Sequence, residues 1–202
     1  TRRYMEATGT TSADIAQVVV KSRRAASLNP FAQFRKPTTV EEVLAARMIS
    51  NPLTLPMCSS IGDGAAAIVL CSSRFAAQLT GARPVWVAAS ALVSGSADPT
   101  GPNATARAAK AAYESASIDP REVHVVEVHD ASAPGELINC ETLQLCEPGE
   151  AVQLLRSGAT DLGGKISIKD ASGAEDKTKT VSSASTLSEL GYTGTGTIEV
   201  TN

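Results

Sequence analysis

The stretch Val126-Glu127-Val128-His129-Asp130-Ala131 closes an alternating apolar run with an imidazole and a carboxylate side by side. Alternation over 123–129 predicts a strand. In α/β sheets the carboxyl ends of strands open onto the ligand crevice. A strand ending in His-Asp presents an imidazole and a carboxylate to whatever lies beyond, and the imidazole can donate to an oxyanion or relay a proton. The same pair also suits a purely structural part, with His129 capping a turn and Asp130 capping the helix that follows. His124 lies five residues before His129, an odd separation that puts it on the opposite face of a strand. A metal shared by the two histidines is therefore not expected.

Other residues with chemical potential give weaker patterns. Ser59-Ser60-Ile61-Gly62-Asp63-Gly64 matches neither a dinucleotide fingerprint nor a P-loop, and it is better taken as a tight turn with positive φ at Gly62 or Gly64. Gly163-Gly164 is a turn signal. Cys58, Cys71, Cys140 and Cys146 form no CxxC pair and no zinc spacing, so four reduced thiols in a cytoplasmic compartment are expected. Cys71 sits in an apolar run and is expected to be a buried small hydrophobe. Beyond Cys146 there is no thiol, and beyond His129 no imidazole, which rules out a self-contained Cys–His acyl-transfer site in the last third of the chain.

Elements able to position these groups follow from spacing and punctuation. A helix is expected over 10–27, capped by Thr11 or Ser12 and stopped by Asn29-Pro30. A shorter one fits 38–47, with Thr38 or Thr39 as cap and Glu41 and Glu42 in its first turn. Residues 61–71 suggest a glycine turn feeding a buried strand, followed by a helix over 72–80, and 85–92 suggest a second buried strand. A helix over 103–117, the strand at 123–129, a helix from Pro134 to Leu145 and another over 149–157 complete the succession. Alternating helices and strands imply a layered α/β arrangement with some parallel pairing. From 166 onward the chain is Ser/Thr-rich, and TGTGTIEVTN reads as a late strand or a tail.

Composition removes several function classes. Net charge is −3, so no basic stripe awaits nucleic acid. No apolar run approaches the roughly 20 residues of a membrane span. The opening Thr-Arg-Arg-Tyr-Met-Glu lacks the apolar centre of a signal peptide, and the absence of an initiator methionine suggests a piece of a longer protein. Aromatic residues make up only 3%, so the interior must pack small and branched aliphatics, which lets helices approach sheets closely.

Several segments resemble one family in order. They are Tyr4–Gly9, then Asn29-Pro30-Phe31-Ala32-Gln33-Phe34-Arg35, Thr39–Leu44, Pro52–Cys58 and Asp63–Ala67, followed by Val126–Asp130, Glu136-Leu137 with Glu141, Pro148-Gly149-Glu150 and Gly158–Gly164. Over roughly residues 1–168 the chain resembles the thiolase superfamily, in its sterol-carrier-protein-X and thiolase-like lipid-transfer-protein branch. The resemblance implies a layered α-β-α-β-α fold built from two related halves. The chain would supply part of the loop domain and the end of the first half over 1–80, and the second half over 81–168. Residues 169–202 would be a diverged or an unrelated tail.

The resemblance further implies carbon–carbon bond cleavage or formation on coenzyme A thioesters, with the thioester as substrate and no bound cofactor. His129-Asp130 matches the branch's His-Asp and is the implied catalytic element, helping to form an oxyanion hole. Ala131-Ser132 stands where the family has a small residue followed by Phe. The family's nucleophilic cysteine lies in the first half, and none of the four cysteines matches it. Its later Gly-His-Pro histidine would fall near Thr180, and its Cys-x-Gly motif is absent. The chain alone is thus expected not to be a competent thiolase, and whether it is an enzyme stays open. Two alternatives stand beside that expectation. One is a thiolase-like retro-aldolase of steroid side-chain degradation, working with a zinc-ribbon/OB-fold protein, for which Tyr4, Tyr113 and Tyr192 are the available phenols. The other is a non-catalytic acyl-CoA-binding chain or a subunit of a homo- or hetero-oligomer.

Overall fold

A computed structural model describes residues 1–79, 85–95 and 101–164, together with the backbone of 167–169. The chain starts with α1 (Arg2–Thr8), which ends at Gly9 in the left-handed conformation. Next comes α2 (Ser12–Ala26), set by a capping box in which the Thr11 side chain accepts from Asp14 N–H and the Asp14 carboxylate accepts from Thr11 N–H. A second capping box, Thr39 with Glu42, starts α3 (Val40–Ala45). These boxes fix the entry angles of two helices whose apolar faces then meet.

A small antiparallel pair follows, β1 (Met48–Ser50) with β2 (Leu53–Thr54), turning through a cis Asn51-Pro52 bond. After one 3-10 turn and the short α4 (Ser73–Ala76), the chain enters α5 (Ala104–Ala116), capped by Asn103. Then come β3 (Val125–Glu127), α6 (Pro134–Thr142), α7 (Ala151–Arg156) and β4 (Ser167–Lys169). Strands β3 and β4 pair in parallel, Val126 opposite Ile168, so β3-α6-α7-β4 is a βαβ unit and the organisation is α/β.

Two apolar clusters hold these elements. Ile15, Val18, Val43, Met57, Leu137 and Leu155 form one around α2, α3, α6 and α7. Tyr113, Val123, Val126, Val128, Leu143 and Leu145 form the other around α5 and β3. Helix α6 bridges them, because Leu137 and Cys140 enter the first cluster while Leu143, just past its end, enters the second. The Tyr113 hydroxyl ties α5 to that same end by donating to Leu143 O at 2.9 Å.

Four expectations need correction. Residues 61–71 form no strand and are exposed throughout, Val69 at 92%. Residues 85–95 hold no strand beyond one bridge position at Val87, and Trp86 is 59% exposed. An apolar run becomes a buried strand only where another strand satisfies its backbone groups and another layer covers its faces. Among the described residues nothing does so for 61–71. Cys71 accordingly is exposed rather than buried. Neither Gly62 nor Gly64 has positive φ; among the described residues the left-handed glycines are Gly9, Gly149, Gly158 and Gly163. The end of the chain, including TGTGTIEVTN, lies outside the described residues.

Candidate active site

The His-Asp pair lies just past the end of β3. Val126 and Val128 point into the core, while Glu127 and His129 are exposed. His124 is exposed too. Strand β3 itself ends at Glu127, and two residues past the buried Val128 the chain places Asp130 inward at 9% exposure. The two members of the pair therefore face different surroundings, the imidazole toward solvent and the carboxylate toward the interior.

Asp130 reaches a cavity of about 420 Å³. Its walls come from α2, through Val19 and Arg23, from Phe31 to Phe34 in the following loop, and from Met57 to Ser60 and Gly62 to Gly64 in the next. The Arg23 guanidinium lies over the Phe34 ring at 4.2 Å from its centre, which places a cation on one wall facing apolar neighbours. His129 is not among the residues that line this cavity. A partly apolar cleft with a few polar groups suits a small-molecule site.

The turn carrying the pair is held from two sides. On one, Ser59 N–H donates to Ala131 O at 3.0 Å and Ala133 N–H donates to Met57 O at 2.8 Å, making a bridge between Cys58 and Ser132. On the other, α6 begins at Pro134, a residue suited to the first helical position. Gly135 then backs onto Asp130 so tightly that a Cβ at 135 would lie 3.1 Å from Asp130 Cα. From the next turn Asn139 Nδ2 donates to His129 O at 3.1 Å.

Helix α6 is itself fixed by a buried charge. Glu136, 1% exposed, accepts from Lys21 Nζ of α2, and that ammonium also donates to Thr160 Oγ1 at 3.2 Å. A second pair joins α2 to α7, where Arg156 Nε and Nη2 donate to the two oxygens of Asp14 at 2.8 and 2.9 Å. Burial disfavours the charged form of Asp14, but the bonds from Arg156 and Thr11 outweigh it and leave this carboxyl below the usual range. Lys21, Gly135, Asn139 and Thr160 were not singled out from the sequence. The available signal was the charge on the buried face of α2, where Asp14, Val18 and Lys21 follow at helical spacing. A buried charge demands a partner, although sequence alone does not say which.

The other chemically active groups are subdued. Burial raises the Cys140 thiol far above its ordinary value, and burial together with Glu141 pushes Cys146 up to about 11. Cys58 is half-buried, with its thiol 3.7 Å from Thr54 O. The Tyr4 hydroxyl donates to Glu141 Oε1 at 2.6 Å, and burial followed by that carboxylate raises its pKa strongly. Burial pushes Tyr113 up to about 12. Neither phenol is poised to act as a base at neutral pH. Tyr192 lies outside the described residues. Among the described residues no group of three or more His, Cys, Asp or Glu could hold a metal ion. Likewise, no helix among them is long and apolar enough to cross a membrane.

Comparison with known proteins fits this arrangement. The thiolase C-terminal domain-like family matches residues 87–190. The chain belongs to the thiolase superfamily. Its relatives include the benzoylsuccinyl-CoA thiolase subunit BbsB of Thauera aromatica, 40% identical over 177 residues, covering 85% of the chain and 46% of that protein. An acetyl-CoA acetyltransferase of Methanothermobacter thermautotrophicus is 38% identical over 178 residues, with the same coverage on each side. Sterol carrier protein 2 of Bos taurus is 31% identical over 187 residues, covering 87% of the chain and 34% of that protein, in keeping with the branch expected from sequence. Among solved structures, a chain of the Ltp2-ChsH2(DUF35) aldolase superposes with a TM-score of 0.65 at 25% identity, over 83% of this chain and 46% of that one. The chain thus has a thiolase-like α/β fold and spans less than half the length of these relatives.

Proposed function

We propose that this thiolase-superfamily chain takes part in carbon–carbon bond cleavage or formation on a coenzyme A thioester, with His129 and Asp130 as the catalytic element. The observation that carries this reading is the inward turn of Asp130, directly after the exposed His129, into the cavity bounded by α2 and two loops. In this scheme the thioester acyl group enters the cavity. The thioester oxygen stays at the solvent side of the turn, where the imidazole, or a water bound to it, donates to it as negative charge develops, while Asp130 contributes from within the cavity. The chain alone does not complete a thiolase cycle. Cys140 and Cys146 are held as thiols, and no residue in the last third supplies an imidazole.

The domain assignment goes with this reading: 1–80 as loop-domain remainder and end of the first half, and 81–168 as the second half. The family match reaching residue 190 favours a diverged over an unrelated tail for the first part of 169–202. Four free cysteines suit a reducing, cytoplasmic setting.

A second reading, retro-aldol cleavage alongside a zinc-ribbon/OB-fold partner, is favoured by the likeness to the two-component Ltp2-ChsH2(DUF35) aldolase. The commitment of Tyr4 and Tyr113 to internal bonds weighs against either phenol as its base. A third, a non-catalytic acyl-CoA-binding or heteromer subunit, is favoured by the exposed apolar run 61–71, which would bury itself against a companion.

Two assays test the first reading. Calorimetric titration of the full chain with acetoacetyl-CoA should show binding that weakens in Asp130→Ala. Incubation with acetoacetyl-CoA and free CoA should show no thioester loss by the chain alone. Absence of any acyl-CoA binding would remove the reading, while turnover abolished by His129→Ala would show that the chain is a competent enzyme after all.

A further inference from the structure

Why a lysine and a glutamate should be buried together, far apart in sequence, is a question the proposed chemistry does not answer. Burying such a pair rarely stabilises a fold better than apolar residues would, so it is better regarded as a geometric constraint than as a source of stability. The constraint here has a definite object. Lys21 reaches Glu136 from α2, and Glu136 occupies the first turn of α6. On one side of Glu136 stands Gly135, pressed onto the Asp130 backbone with a hypothetical Cβ at 3.1 Å from its Cα. One turn on stands Asn139, whose amide donates to the carbonyl of His129. Thr160, from the loop after α7, braces the ammonium from behind at 3.2 Å.

We propose that the Lys21–Glu136 pair, braced by Thr160, is a positioning device that sets the His129–Asp130 turn through Gly135 and Asn139 of α6. This rests on His129–Asp130 being the functional site. None of Lys21, Glu136 and Asn139 touches the substrate under this proposal. They act through the backbone of the turn. Loss of the pair lets α6 rotate or slide against α2, and the His129 carbonyl and the Asp130 backbone move with it. The contrast with Asp14–Arg156 is built in, since that pair joins α2 to α7 rather than α2 to α6.

The chain has only two histidines, which makes the test direct. Histidine ring carbons are labelled in the full-length protein, and the two resonances are assigned with His124→Gln. The double variant Lys21→Met/Glu136→Leu removes both charges without stranding one, and Asn139→Ala removes the bond to the His129 carbonyl. Both should shift the His129 resonance while leaving His124 in place, and Asp14→Asn should leave both unmoved. If the double variant does not give a folded amide spectrum, Thr160→Val, which loosens Lys21 with both charges retained, should produce a smaller shift at His129 alone. A His129 resonance unchanged in the folded variants would overturn the proposal. So would an equal shift in Asp14→Asn, which would reduce the pair to general stability. Because no substrate is present, the outcome is independent of acyl-CoA binding. A chain that fails to bind acetoacetyl-CoA can still show, or fail to show, the positioning effect.

Discussion

The cluster around α2, α6 and α7 and the run 61–71 are both rich in Ala, Val, Ile and Leu, and their fates are opposite. Ile15, Val43 and Leu137 are all but inaccessible, whereas Ile61, Ile68, Val69 and Leu70 are each more than two-thirds exposed. Composition does not separate them, and neither does local propensity. What differs is the supply of covering surface: α2 meets α3, α6 and α7, while 61–71 is exposed along its whole length. Hydrophobic residues stabilise only in proportion to the area that something else covers. The packed region can therefore hold the His129–Asp130 turn in place, whereas the exposed run has no such support.

That comparison can be broken by substitution, and the buried ion pair gives the largest expected effect. Lys21→Met takes the ammonium away from the buried Glu136 carboxylate and should cost about 3–5 kcal/mol in denaturant unfolding. Lys21→Met/Glu136→Leu should recover most of that loss. Leu137→Ala, at 1% exposure, opens a cavity in the same cluster and should cost about 2–5 kcal/mol. Thr39→Ala removes the side-chain half of the capping box on α3 and should cost about 1 kcal/mol. At the small end, Val69→Ala in the exposed run should fall within about 0.5 kcal/mol of the parent. A loss at Val69 as large as that at Leu137 would show that the run is covered in solution.

The pH dependence sharpens the same contrast. The Asp14 carboxyl is held below its unfolded value, so its contribution is fully present above the ordinary aspartate pKa and disappears as pH falls through the lowered one. Asp14→Asn should therefore lower stability at neutral pH and flatten the acid limb of the stability curve. An acid limb unchanged by the substitution would show that the Arg156 pair is not maintained in solution.

Much of this framework is legible in the sequence because its signals are local. Thr11 with Asp14 three residues later marks the start of α2, and Thr39 with Glu42 does the same for α3. The alternation of Val126, Val128 and the residues between them marks β3 and places His129 and Asp130 just past its end. What the sequence hides is non-local. Lys21 and Glu136 lie 115 residues apart, and only their common burial reveals the pair. The tight seat of Gly135 on Asp130 depends on how α6 leaves the strand, which no spacing rule encodes. The buried-strand reading of 61–71 fails for the same reason: the residues fit a strand, and the covering partner that would make them one is not a property of those residues.

The central claim is that the end of β3 is an acyl-CoA site, and histidine resonances report on it most directly. Acetoacetyl-CoA is titrated into the full chain with ring-labelled histidines. The expected result is a saturable shift of His129 with His124 unmoved, lost in Asp130→Ala. A His129 signal that stays fixed at saturating ligand, or a shift confined to His124, would contradict the claim.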